Sequence, residues 1–172
     1  DLLLPWLTVL QNVTLGCQLR NTTRDEKKLQ LTKARELLTR VGLEEAIDFY
    51  PSQLSGGMRQ RAALVRTLLE DKPVVLIDEP FSALDAMTRY KLQALAVELL
   101  RDKTVLFITH DPAEALRLGH AIYLLQGRPA QLQQVAQLNT NTPRELNDPE
   151  VIHWQMLLFQ ALSGGAPHEI AC

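Results

Sequence analysis

At 172 residues and a formal net charge of −2, the chain is long enough for one domain with a sizeable core and carries no basic field of the kind that attracts nucleic acid. Apolar residues make up 46% and charged residues 22%, an ordinary globular balance, and no apolar run approaches the ~20 residues of a membrane-spanning helix. Cys17 and Cys172 have neither metal-ligand nor disulfide-framework spacing, which points to a reduced, cytosolic setting.

No basic, apolar leader opens the sequence and Asp1 is not an initiator Met, so a piece of a longer chain is expected. Leu2-Leu3-Leu4-Pro5-Trp6-Leu7-Thr8-Val9 is apolar from the outset. Leu2, Leu4 and Trp6 read equally as buried core or as a dock for a partner's helix. Asn12-Val13 is expected to start a short helix, and Asn21 to Lys28 to form a polar loop running into the next. Leu31, Ala34, Leu37, Leu38 and Val41 keep helical spacing, with Gly42 as a stop. Glu44 to Phe49 reads as a helical turn before Pro51, with Glu44 and Glu45 on a solvated face.

The stretch from Leu54 to Asp85 carries the chemistry. Ser55-Gly56-Gly57 opens a helix, where unpaired N–H groups and the positive end of the helix dipole favour an anion. The inner side of that helix is read as Ala62, Ala63, Val65, Leu68 and Leu69, with Arg59, Arg61 and Arg66 elsewhere. Asp71-Lys72-Pro73 breaks it. Val74-Val75-Leu76-Ile77 is a continuous apolar run, expected to be a strand buried on both faces. It ends in Asp78 and Glu79, which puts two carboxylates at the carboxyl edge of a sheet, where open α/β folds bind ligands. Ala86 to Arg101 has helical spacing, and Thr104 to Ile108 is a second expected buried strand, ending beside His110. Asp111, Pro112 and Gly119 supply the cap, first residue and stop of a further helix. Strand, helix, strand, helix predicts a parallel sheet covered by helices. Ala121 to Leu125 and Ala130 to Gln134 read as two short strands around a turn. After the loop Asn139 to Pro143, Asp148-Pro149 opens a last helix, ended by Ser163-Gly164-Gly165.

Ordered motifs in this stretch resemble the ATP-binding subunits of ABC transporters. Leu54-Ser-Gly-Gly-Met-Arg-Gln-Arg61 is similar to the family signature, Val74 to Pro80 to its Walker B strand, Ser82-Ala-Leu-Asp85 to its D-loop, and Thr104 to Asp111 to its switch-histidine strand. The resemblance implies an α/β fold: a partial P-loop NTPase (RecA-like) core with a mostly parallel sheet and an inserted helical subdomain. It implies residues 1–24 as the segment after the glutamine loop, 25–71 as the helical subdomain, 72–135 as the catalytic core and 136–172 as a C-terminal extension. It implies ATP and Mg²⁺ as cofactors, with Asp78 toward the metal, Glu79 as general base and His110 at the γ-phosphate. Ser55, Gly56, Gly57 and Gln60 would act on a nucleotide held by a second ATP-binding subunit in a head-to-tail dimer, and Asp85 would lie at its seam.

The sequence departs from the family in one large respect. No Gly-x-x-x-x-Gly-Lys-Ser/Thr occurs, nor do the adenine-stacking aromatic and the loop glutamine, so the chain alone is expected to be inactive. The leading expectation is the ATP-hydrolysing subunit of a nutrient importer, peripheral on the cytoplasmic face, with a membrane permease as partner and a substrate-binding protein beyond it. The alternatives are a soluble ABC-type ATPase working on ribosomes or DNA, and a non-enzymatic truncated product. Leu3 to Val9 and Thr142 to Pro149 resemble the nitrate, sulfonate and taurine branch, which includes importers of thiamine-precursor pyrimidines.

Overall fold

The computed structural model describes residues 2–20, 23–163 and 169–171, with backbone alone for 160–163 and 169–171. Of the expected polar loop Asn21 to Lys28, residues 21 and 22 lie outside the described residues and helix already begins at Arg24; the stop at Gly164-Gly165 and Cys172 also lie outside them. The chain divides into two compact units, Asp1–Lys72 with Pro80–Leu92, and Pro73–Glu79 with Gln93–Cys172.

The first unit holds α1 (Val9–Val13), α2 (Leu15–Leu19), α3 (Arg24–Arg40), 3₁₀ turns at Glu44–Ala46 and Pro51–Gln53, and α4 (Gly56–Leu69). Thr8 and Thr23 start α1 and α3 with reciprocal capping boxes to Gln11 and Glu26. Asn12 does not start a helix: it lies buried near the end of α1, where its amide satisfies the backbone of the apolar entry segment. Its Oδ1 accepts the Leu4 N–H at 2.7 Å and its Nδ2 donates to the carbonyls of Leu4 and Leu7. Leu3 is buried there, while Leu2 and Trp6 stand exposed. Val9, Val13, Ala34, Leu38, Ala62 and Val65 are fully enclosed. Arg61 turns back onto α3 and donates to the Val41 carbonyl at 2.7 Å, serving one of the acceptors that a helix end leaves open.

The second unit contains β1 (Val74–Asp78), β2 (Thr104–Thr109), α6 (Pro112–Leu118), β3 (Ala121–Gln126), β4 (Gln131–Gln137), α7 (Pro149–Ser163) and β5 (Glu169–Ala171). The helix α5 (Ala86–Leu100) begins in the first unit and ends in the second. The strands form one five-stranded sheet in the order β1-β2-β5-β3-β4. β1 and β2 pair in parallel, from Val74 opposite Thr104 to Asp78 opposite Ile108. β5 is antiparallel to both β2 and β3, so β1, β2 and β3 run the same way. The expectation of strands buried on both faces does not hold for β1 and β2. Val75, Ile77 and Phe107 are buried, but Val74 is 59%, Leu76 71% and Leu106 44% exposed. An unbroken apolar run reads the same whether one face is covered or two.

Ala115, Leu116, Ile122, Leu124, Leu138 and Leu158 are at the centre of this unit's core, with Trp154 packed against it. The loop before α7 is held by one cation. Arg144 is 2% exposed; its Nη1 donates to the carbonyls of Leu116 and Gly119, and its Nε and Nη2 to the hydroxyl and carbonyl of Thr140. Glu150 lies 3.8 Å away and accepts the N–H groups of Asn139 and Thr140. Removing the guanidinium would strand several buried acceptors, so Arg144→Ala should cost about 3 kcal/mol in a denaturant melt. Arg144→Lys should recover little of it, because an ammonium cannot span these acceptors.

Candidate functional site

The structure brings the residues singled out from sequence together in two groups, one in each unit. In the first, Ser55 is the N-cap of α4, and its Oγ accepts the Met58 N–H at 3.2 Å. Its own O–H remains a donor, and the Gly56 and Gly57 N–H groups belong to the first turn, which has no acceptors inside the helix. Gln60 grips the segment after β1: its Nε2 donates to the Ser82 Oγ at 3.0 Å, and its Oε1 accepts the Ala83 N–H at 2.9 Å. Asp85 accepts the Thr88 N–H at 3.0 Å and so caps α5; these hydrogen bonds, from the Thr88 side chain and backbone, hold its carboxyl below the usual range.

The two glycines differ. A Cβ on Gly57 would meet the Ala83 carbonyl at 3.1 Å and the Leu84 side chain at 3.3 Å. A Cβ on Gly56 would meet nothing nearer than the Arg59 guanidinium at 3.9 Å. Packing within the chain therefore accounts for Gly57 and leaves Gly56 without a reason of its own.

The second group lies at the carboxyl ends of β1 and β2. Asp78 is the exposed last residue of β1. Glu79 follows with φ 46°, a left-handed conformation uncommon outside glycine, while its N–H donates to the Ile108 carbonyl at 3.0 Å and extends the ladder by one bond. This turn sends the Glu79 carboxylate to His110, where Oε1 accepts the His110 backbone N–H at 2.8 Å and lies 2.6 Å from Nδ1. The hydrogen bond from Nδ1, then the charge of Glu79, raise the His110 pKa above its ordinary value. The pairing thus contributes stability that is full below the ordinary histidine pKa and is lost as pH rises through the raised one. With Nδ1 committed to Glu79, Nε2 is the atom His110 can present elsewhere.

Among the described residues no three His, Cys, Asp or Glu side chains gather into a metal-binding group. Asp78 alone offers one exposed carboxylate, which suits an ion that takes most of its oxygens from phosphates and water, as Mg²⁺ does.

The sequence reading missed one part. Buried Gln93, Thr109 and Glu114 form a hydrogen-bonded cluster directly behind His110. The visible signal was an acid between Ala113 and Ala115 in an otherwise apolar turn.

An ABC transporter ATP-binding protein of Haemophilus influenzae, itself uncharacterized, is 44% identical over 168 residues, 95% of this chain and 68% of that protein. The chain belongs to the family of ABC transporter ATP-binding proteins. The ABC transporter family profile matches residues 1–82. An aliphatic sulfonates import ATP-binding protein of Burkholderia ambifaria is 49% identical over 136 residues, 77% of this chain and 40% of its own length. Among solved structures, the dimeric structure of an ABC transporter cassette matches with TM-score 0.57 and 37% identity, over 70% of this chain and 53% of that one. The chain thus spans from about two fifths to two thirds of the length of the ABC proteins it matches. It shares their α/β fold, and no helix among its described residues is long and apolar enough to cross a membrane.

Two measurements test the site as built. Gly56→Ala should leave the melting temperature of this ABC chain unchanged or slightly higher, since alanine is the better helix former by up to about 1 kcal/mol, whereas Gly57→Ala should lower stability by about 1–2 kcal/mol through overpacking. Glu79→Gln should bring the NMR titration of His110 down toward the ordinary histidine range; an unmoved midpoint would show that the pair does not hold in solution.

Proposed function

We propose that this chain supplies the signature, Walker B, D-loop and switch-histidine part of an ATPase that powers import of a small organic anion. The contact that carries the reading is Glu79 to His110 across the ends of two parallel strands. It sets a carboxylate beside an imidazole at the edge where an α/β sheet receives its ligand.

In this reading the Glu79 carboxylate orients the attacking water and takes its proton. His110, fixed through Nδ1, turns Nε2 to the terminal phosphate of ATP. Asp78 holds Mg²⁺, which supplies charge neutralisation at the phosphates. Ser55 and the Gly56 and Gly57 amides take phosphate oxygens of a nucleotide held by a second ATP-binding subunit, and the room at Gly56 supports this, since a close approach from outside the chain explains a glycine there. Gln60 and Asp85 keep the D-loop segment in place beside the dimer seam. Division of the chain at residues 24, 71 and 135 belongs to the same proposal.

Leu2 and Trp6, 87% and 69% exposed, support docking on a membrane permease, which would hold the protein peripherally at the cytoplasmic face with a substrate-binding protein feeding the permease. The sulfonate-importing relative supports a sulfonate cargo.

In a version of the protein that also carries a phosphate loop, Glu79→Gln should retain ATP binding and lose turnover by about 10²–10⁴-fold. Turnover near the parent's would overturn the role given to Glu79. In cells, loss of the gene should lower uptake of labelled sulfonate and leave maltose and dipeptide uptake unchanged; a fall in sugar or peptide uptake alone would overturn the cargo while leaving the ATPase in place.

A further inference from the structure

Behind His110 lies a chain of buried polar groups. Gln93 of α5, Thr109 at the end of β2 and Glu114 in the first turn of α6 are 4%, 1% and 5% exposed. The Glu114 Oε2 accepts the Thr109 hydroxyl at 2.8 Å, and its Oε1 accepts the Gln93 amide at 3.2 Å. In this bond the Thr109 O–H points at Glu114. That orientation leaves the hydroxyl's lone pairs for the Asp111 N–H, which donates to Oγ1 at 3.0 Å. The result is a side-chain turn from residue 109 to residue 111 that closes around His110. On its far side, the Asp111 carboxylate accepts the Ala113 N–H at 2.9 Å and starts α6. The His110 N–H itself goes to Glu79.

We propose that Glu114 is a positioning residue: through the Thr109 hydroxyl it fixes the turn that carries His110, and so holds the imidazole against Glu79. The cost of burying a carboxylate is met by its hydrogen bonds to Thr109 and Gln93 and by its place in the first turn of a helix, where negative charge is favoured. A methyl in place of the Thr109 hydroxyl would break both bonds at once, since one oxygen makes both. The inference rests on the reading of Glu79 and His110 as the reacting pair, but its geometry is tested without nucleotide.

The experiment is NMR at fixed pH on the 172-residue chain, with Glu79→Gln as the reference for a released imidazole. Thr109→Val should shift the His110 ring-nitrogen resonances toward those of Glu79→Gln and speed hydrogen exchange of the Asp111 amide by about tenfold or more, with β3 and β4 amides unchanged. Thr109→Ser should restore both. Glu114→Met keeps the length of the side chain, removes both acceptor oxygens and tests the same link should the valine variant fold poorly; it should move the His110 resonances in the same direction. If the melting temperature falls in these variants while the His110 and Asp111 signals stay as in the parent, Glu114 serves stability only and the proposal is wrong. In the version carrying a phosphate loop, Thr109→Val should lower kcat about tenfold with little change in KM, the pattern of a lost transition-state interaction. Displaced His110 signals with unchanged kcat would instead count against the ATPase role of the pair and leave the positioning intact.

Discussion

The site depends on the register of β1 against β2. Asp78 pairs with Ile108, and the Glu79 N–H adds one more bond to the same carbonyl ladder. Only this alignment puts the Glu79 carboxylate level with the backbone and ring of His110. A slip by one residue would exchange the faces of every side chain on the strand and set Asp78 or Pro80 there instead. Val75 and Ile77 inside, with Phe107 beside them, fix the alignment, because a slip would turn these out and expose them to water. The placement of the polar side chains at the strand ends is thus specified by buried apolar residues along the strands.

Much of this was legible in the residues because it is local. A continuous apolar run followed by two acids gives a strand end; Asp111-Pro112 with Gly119 gives a short helix with both limits, as the structure has it. Ser55 before two glycines gives a capped helix start. The hairpin was legible as well, although β4 runs to Gln137 and begins only at Gln131, since the polar Gln131, Gln133 and Gln134 blur the boundary with the turn.

What escaped the sequence lies in long polar side chains that act far along the chain. Arg61 reaches Val41, Gln60 reaches Ser82 and Ala83, Arg144 reaches Leu116, and Gln93 reaches Glu114. None has a periodicity, and each reads as a solvated residue until the fold supplies a carbonyl or carboxylate. Asn12 is the same case at short range, placed inside α1 by the loop it serves. The seven-residue α6 shows what such groups achieve: too short to be stable alone, it is held by Asp111 and Glu114 at its start and by Arg144 at its end.

The left-handed backbone at Glu79 is tied to its side chain. A non-glycine residue in that conformation costs about 1 kcal/mol or more. Glycine would sit there without strain but would give up both hydrogen bonds that the Glu79 carboxylate accepts from His110. The strained turn and the carboxylate's grip on His110 are therefore coupled: the bonds at the end of the neighbouring strand offset the backbone cost, and a substitution at position 79 relaxes the one only by releasing the other.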